Sequence, residues 1–83
     1  MAKKIDWKDE AKRDLRSIDR VAAMRILEGI ARYLKSGEGD VKQLTDVDPV
    51  EYRLRVGDYR VRYHDYGEFI FVLSVKHRRE AYR

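Results

Sequence analysis

The sequence predicts an α+β fold: an N-terminal strand, a helical hairpin, then three antiparallel strands, giving a mostly antiparallel four-stranded sheet with both helices on one face. Three observations carry this. An apolar stripe of helical period fills the first half of the chain, and a strict apolar/polar alternation interrupted by Gly57-Asp58 opens the second half. A run that is apolar on both faces follows, Phe69 to Val75.

Ile5 and Trp7 alternate with Lys4 and Asp6, as a short strand with one apolar side does. From about Lys8 to Ile18 the period becomes helical. Ala11, Leu15 and Ile18 recur on one face, and Asp9 and Glu10 complement the positive end of the helix dipole. Ser17 and Asp19 are both candidate caps for a second helix, whose stripe is Ala23, Ile26, Leu27, Ile30 and Leu34. Ser36-Gly37-Glu38-Gly39-Asp40 ends that helix, and a polar connection containing Leu44 and the sole proline, Pro49, leads onward.

In the next segment Tyr52, Leu54 and Val56 point one way and Arg53 and Arg55 the other. Gly57-Asp58 has glycine first, as a type II′ turn requires. Tyr59, Val61 and Tyr63 then continue the apolar side, and Arg60, Arg62 and His64 the polar side. Counting outward from the turn sets Arg55 opposite Arg60 and Arg53 opposite Arg62, so four guanidinium groups share one face. Like charges directly opposed in a sheet are destabilising, by a few tenths to roughly 1 kcal/mol per pair. The arrangement therefore needs a reason outside folding. The register of the following strand is open, because turns of two and of four residues both fit around Tyr66-Gly67.

Eighty-three residues fit one small domain over 1–83, and 41% of them are charged against 43% apolar, so the core is lean and the surface ionic. Residues 1–51 hold eleven basic and eleven acidic side chains, whereas 52–83 hold eight and four; the whole excess of +4 lies in the last third. Such a local surplus of arginine favours a polyanionic partner. No signal-like or membrane-length apolar segment occurs, which makes a cytoplasmic location the expectation. The absence of cysteine excludes disulfides and thiolate metal sites, and two histidines without a metal-binding spacing argue against a metal centre.

An arginine fork matches phosphate bidentately, so four on one face would hold consecutive phosphates of a strand. The same residues also suit an ionic face laced to internal carboxylates or to an acidic partner protein. His77, Arg78, Arg79 and Tyr82 follow the last strand and would add proton exchange and base stacking, or else form a plain basic tail.

Tyr52-Arg-Leu-Arg-Val-Gly-Asp-Tyr-Arg-Val-Arg-Tyr63, an apolar strand and His77-Arg-Arg-Glu-Ala-Tyr82 together resemble the C-terminal half of RelE-type toxins. The order of elements resembles the RelE/ParE superfamily of type II toxin-antitoxin systems throughout. The resemblance implies a ribosome-dependent mRNA endonuclease that uses no metal or cofactor, a ribose 2′-OH attacking the adjacent phosphate. It implies that Arg53 and Arg55 hold the message and help activate the 2′-OH, and that Arg60 stabilises the phosphorane. Arg78 would protonate the leaving 5′-oxygen, and Tyr82 would stack on or orient a base. Arg62, His64, His77 and Arg79 are the further substrate-binding candidates.

Well-studied members of the family carry lysine where Arg53 and Arg55 stand, and arginine is a poor general base; His64 or His77 are the candidates for a titrating group instead. A cognate antitoxin protein is the implied partner, besides ribosome and mRNA. Two rivals remain open: a ParE-like toxin that inhibits DNA gyrase without cutting, and a non-catalytic basic module that binds RNA or protein.

Overall fold

The computed structural model describes residues 3–81, with the backbone alone for Glu80 and Ala81. Strand β1 (Lys4–Trp7) leads into α1 (Asp9–Ser17) and α2 (Arg20–Ser36). Strands β2 (Asp40–Gln43), β3 (Glu51–Val56), β4 (Tyr59–Asp65) and β5 (Phe69–His77) follow, and a single turn, α3 (Arg78–Ala81), comes last. The sheet runs in the order β1-β5-β4-β3-β2, with β1 parallel to β5 and the other pairs antiparallel.

The expected class is found, with one strand more than the sequence pattern reveals. Asp40–Gln43, expected as connection, pairs along β3 from Asp40 opposite Arg55 to Gln43 opposite Tyr52. It carries a single apolar side chain, Val41, because an edge strand packs little of its surface. Asp19 rather than Ser17 caps α2, accepting from the Ala22 N–H at 3.1 Å, while the Ser17 hydroxyl donates to the Asp14 carbonyl.

The core is drawn from one side of the sheet. Leu54, Val61, Tyr63, Ile70, Val72 and Val75 pack with Ala11 of α1 and Ile26 and Ile30 of α2. Leu27, expected in the buried stripe, is 42% exposed, because the stripe of α2 in contact with the sheet is narrower than the apolar pattern suggests. Gly29 allows the close approach of α2 to β3: a Cβ there would stand 2.9 Å from a Val56 methyl. Tyr63 is wholly buried, stacks on Tyr52 and donates its hydroxyl to that of Tyr33 at 2.8 Å. Burial, reinforced by that hydrogen bond, pushes its phenol well above the usual value.

Beyond the last residue paired to β1, Asp14 continues the edge of β5. Its carboxylate accepts from the Val75 N–H at 3.0 Å and from Lys76 Nζ at 2.7 Å. At the other end, Asp65 accepts from Lys3 Nζ at 2.7 Å and from the Gly67 N–H, closing the β4–β5 turn.

Candidate functional site

The hairpin has the register that the turn dictates: Val56 faces Tyr59, Leu54 faces Val61, Arg55 faces Arg60 and Arg53 faces Arg62. Gly57 has φ of +58°, and among the described residues no non-glycine residue has positive φ, as a type II′ turn with glycine first demands. Arg53, Arg55, Arg60 and Arg62 therefore lie together on the side of the sheet that the core leaves open. Strand β5 adds Lys76 opposite Arg60 and Ser74 opposite Arg62. Both follow from the alternation of β5 once its register is known, and neither was marked by sequence alone.

The four arginines are held differently. Arg62 Nε donates to Glu51 Oε2 at 2.7 Å, and this hydrogen bond raises its pKa against the opposing effect of burial. Arg55 has only a loose contact with Asp40, 4.0 Å between two exposed side chains, of little energetic worth. Arg53 is half-buried and has an interaction of its own. Arg60 is the exception: it is 4% exposed, and no acid among the described residues pairs with it. Its Nη1 donates to the carbonyls of Gly57 at 3.3 Å and Tyr59 at 3.2 Å, and its Nε is buried with no partner among the described residues. The Ser74 hydroxyl is buried on the same face, with no partner among the described residues.

A buried cation without a counter-ion is costly to the fold, and a bound anion relieves that cost. The Gly57-Asp58 turn gathers a second arginine, since the Arg78 N–H donates to the Asp58 carbonyl at 2.7 Å while Arg60 holds the Gly57 carbonyl. Arg78 and Arg79 are exposed on α3. Tyr82 lies outside the described residues.

The histidines do not join this cluster. His77 pairs with Tyr59 and so lies on the core side of the sheet, where its ring meets the Tyr59 ring edge-on at 5.4 Å. His64 is on the arginine side but four residues along β4 from Arg60, roughly 13 Å at strand spacing. It sits 3.4 Å from the Val50 carbonyl.

Two cavities flank the sheet ends. One of about 390 Å³ lies between α2 and the β3–β4 turn. A larger one of about 650 Å³ lies at the opposite end, between β1 and the β4–β5 turn, remote from the arginines.

The family model of the ParE toxin of type II toxin-antitoxin systems, parDE, matches residues 5–82. The chain belongs to this toxin family. It is a toxin of the RelE/ParE superfamily, and solved structures agree. A chain of the archaeal RelE-RelB complex from Pyrococcus horikoshii OT3 is similar at 26% identity and TM-score 0.76, covering 94% of the toxin and 97% of that chain. One from the RelB-RelE antitoxin-toxin complex of Methanococcus jannaschii is similar at 25% identity and TM-score 0.73, covering 93% and 94%. The chromosomal ParDE system of P. aeruginosa shares the fold, at 14% identity and TM-score 0.69, covering 92% and 96%. No curated protein matches the toxin in sequence.

Proposed function

We propose that this toxin is a ribosome-dependent mRNA endonuclease. The observation that carries the reading is Arg60, a buried guanidinium without an acid partner among the described residues, on a sheet face shared with three further arginines. The likeness to chains of RelE-RelB complexes supports it. RNA brings its own nucleophile: the ribose 2′-oxygen attacks the adjacent phosphorus, its proton is lost, and the 5′-oxygen leaves with a proton. The ends are then a 2′,3′-cyclic phosphate and a 5′-hydroxyl.

The protein's part is to align the strand and to neutralise charge on the phosphorane. Arg60 takes the phosphorane oxygens, Arg53 and Arg55 hold the strand, and Arg78, tied to the same turn, stands by the leaving oxygen. Arg79 and Arg62 extend the basic surface, and Tyr82 meets a base. Neither histidine stands beside Arg60: His77 lies on the core side, and His64, though on the arginine face, is four residues along β4 from it.

A cognate antitoxin is the partner, since structural relatives are toxin-antitoxin complexes. A second reading, inhibition of DNA gyrase without cleavage, is favoured by the match to the ParE family model. Expression with and without the antitoxin, followed by mapping of mRNA 5′ ends, decides between them. New ends inside translated codons that vanish with the antitoxin support the nuclease. Intact messages with arrested replication establish the gyrase reading.

A further inference from the structure

The β3–β4 turn separates two places. On one side its carbonyls hold the Arg60 guanidinium; on the other it closes the cleft of about 390 Å³, walled by Val21, Ile26, Val56, Asp58, Tyr59 and His77. We propose that this cleft is a base-binding subsite, which receives the unpaired nucleobase next to the phosphate held at Arg60. The inference rests on the nuclease reading above.

The cleft has the size of a small-ligand pocket and the composition of a base slot. Ile26 is buried, Val21 and Val56 are apolar, and the rings of Tyr59 and His77 meet at 88° to form an aromatic corner. Flat apolar and aromatic walls accept any base by stacking. Discrimination requires a hydrogen-bonding group at the rim, and Asp58 supplies one: its carboxylate makes no hydrogen bond or ion pair among the described residues. A carboxylate accepts from the amino and imino N–H groups of a base edge and rejects edges that present only acceptors. Arg25, also on the cleft wall, places positive charge where the strand would leave.

Continuity settles the occupant in favour of RNA. A strand with one phosphate at Arg60 has to cross only a two-residue turn for the neighbouring base to reach the cleft, and exposed Arg78 lies along that path. The position of His77 on the core side, away from the arginine face, becomes intelligible as part of this corner.

Two variants test the proposal. Val21→Trp, at a position 62% exposed, fills the cleft without entering the core. Asp58→Asn exchanges the acceptor at a turn position that asparagine tolerates. Each is assayed on programmed ribosomes with messages carrying every base at the nucleotides flanking the cut, and the ends are mapped.

The wild type is expected to discriminate among bases at one flanking nucleotide by roughly tenfold or more. Val21→Trp should flatten that preference, and Asp58→Asn should move it to another base. If both variants keep the wild-type base profile, at whatever rate, the proposal is overturned. This includes the case where only neutralisation by the antitoxin weakens, which would assign the cleft to an antitoxin side chain. If the wild type leaves all messages intact, the nuclease reading itself falls and takes the subsite with it.

Discussion

Arg60 and Lys76 stand directly opposite each other on β4 and β5, two cations in register with different surroundings. Lys76 Nζ is drawn toward α1 by Asp14 at 2.7 Å and Glu10 at 3.8 Å. Among the described residues Arg60 has only backbone carbonyls, and its Nε is buried without a partner. The acids of α1 thus pull one charge away from the shared face and leave the other on it.

Replacing Arg60 separates stability from activity. A buried cation without a counter-ion contributes nothing net to folding, and an apolar side chain of similar length is as good or better. Arg60→Met is expected to melt at or above the wild-type temperature while cleavage of ribosome-bound message falls roughly 100- to 1000-fold, as for loss of one oxyanion donor. Calorimetry and primer extension on the same preparation read both. A variant that melts normally and still cuts like the wild type would remove Arg60 from the chemistry.

Asp14 should behave in the opposite way. Asp14→Ala strips a charged acceptor from the Val75 N–H and from Lys76, costing about 2 kcal/mol. For a chain of this size that lowers the melting temperature by roughly 10 °C. Glu10→Ala removes only the outer 3.8 Å contact of a partly exposed pair and should change stability by less than about 0.5 kcal/mol. Equal effects of the two substitutions would show that the pairing with Lys76, and not the sheet-edge hydrogen bond, sets the stability.

The hairpin was legible because a glycine-first turn fixes register by counting, and alternation then assigns every face from Tyr52 to Tyr63. The face of His77 was not. The β4–β5 pairing steps from Arg62 opposite Ser74 to Tyr63 opposite Val72, leaving Leu73 as an extra residue. One residue more or less reverses every side chain beyond it, and the turn at Tyr66-Gly67 admits more than one length. Strand β2 was hidden for another reason: with Val41 as its only apolar side chain, its strand character lies in backbone pairing and leaves no pattern. Glu51 shares the arginine face by the alternation of β3, but a lone acid among charged neighbours carries no pattern of its own. Arg60 was placed on the right face, but its burial depends on packing that no period encodes.

The Lys3–Asp65 pair predicts part of the acid response. Burial disfavours the Asp65 charge, but the Lys3 hydrogen bond and the Gly67 N–H together outweigh it, so the carboxyl titrates below its usual range in the folded chain. Protons therefore bind the unfolded chain more readily. The contribution of the pair is complete above the unfolded value, near pH 4, and is lost as the pH falls through the lower folded value. Asp65→Asn should lower stability at neutral pH and flatten the acid limb. Urea midpoints between about pH 2 and 6 for both proteins test it; parallel curves would show that Asp65 does not contribute.

Glu51 should restrain any anion binding by the arginine face. Its carboxylate, largely buried, holds Arg62 at 2.7 Å, so Arg62 presents little unpaired charge to a passing strand. Glu51→Gln keeps the shape of the side chain and removes the charge, leaving Arg62 able to take up a phosphate. Each phosphate neutralised on a single strand adds about 0.7 to the slope of log affinity against log salt. The variant should therefore bind a short oligoribonucleotide more tightly at low salt, with a slope steeper by about that amount, and lose the advantage as salt rises. Were Arg62 held by Glu51 purely as a strut between β3 and β4, the substitution would instead lower the melting temperature and leave the salt slope where it was.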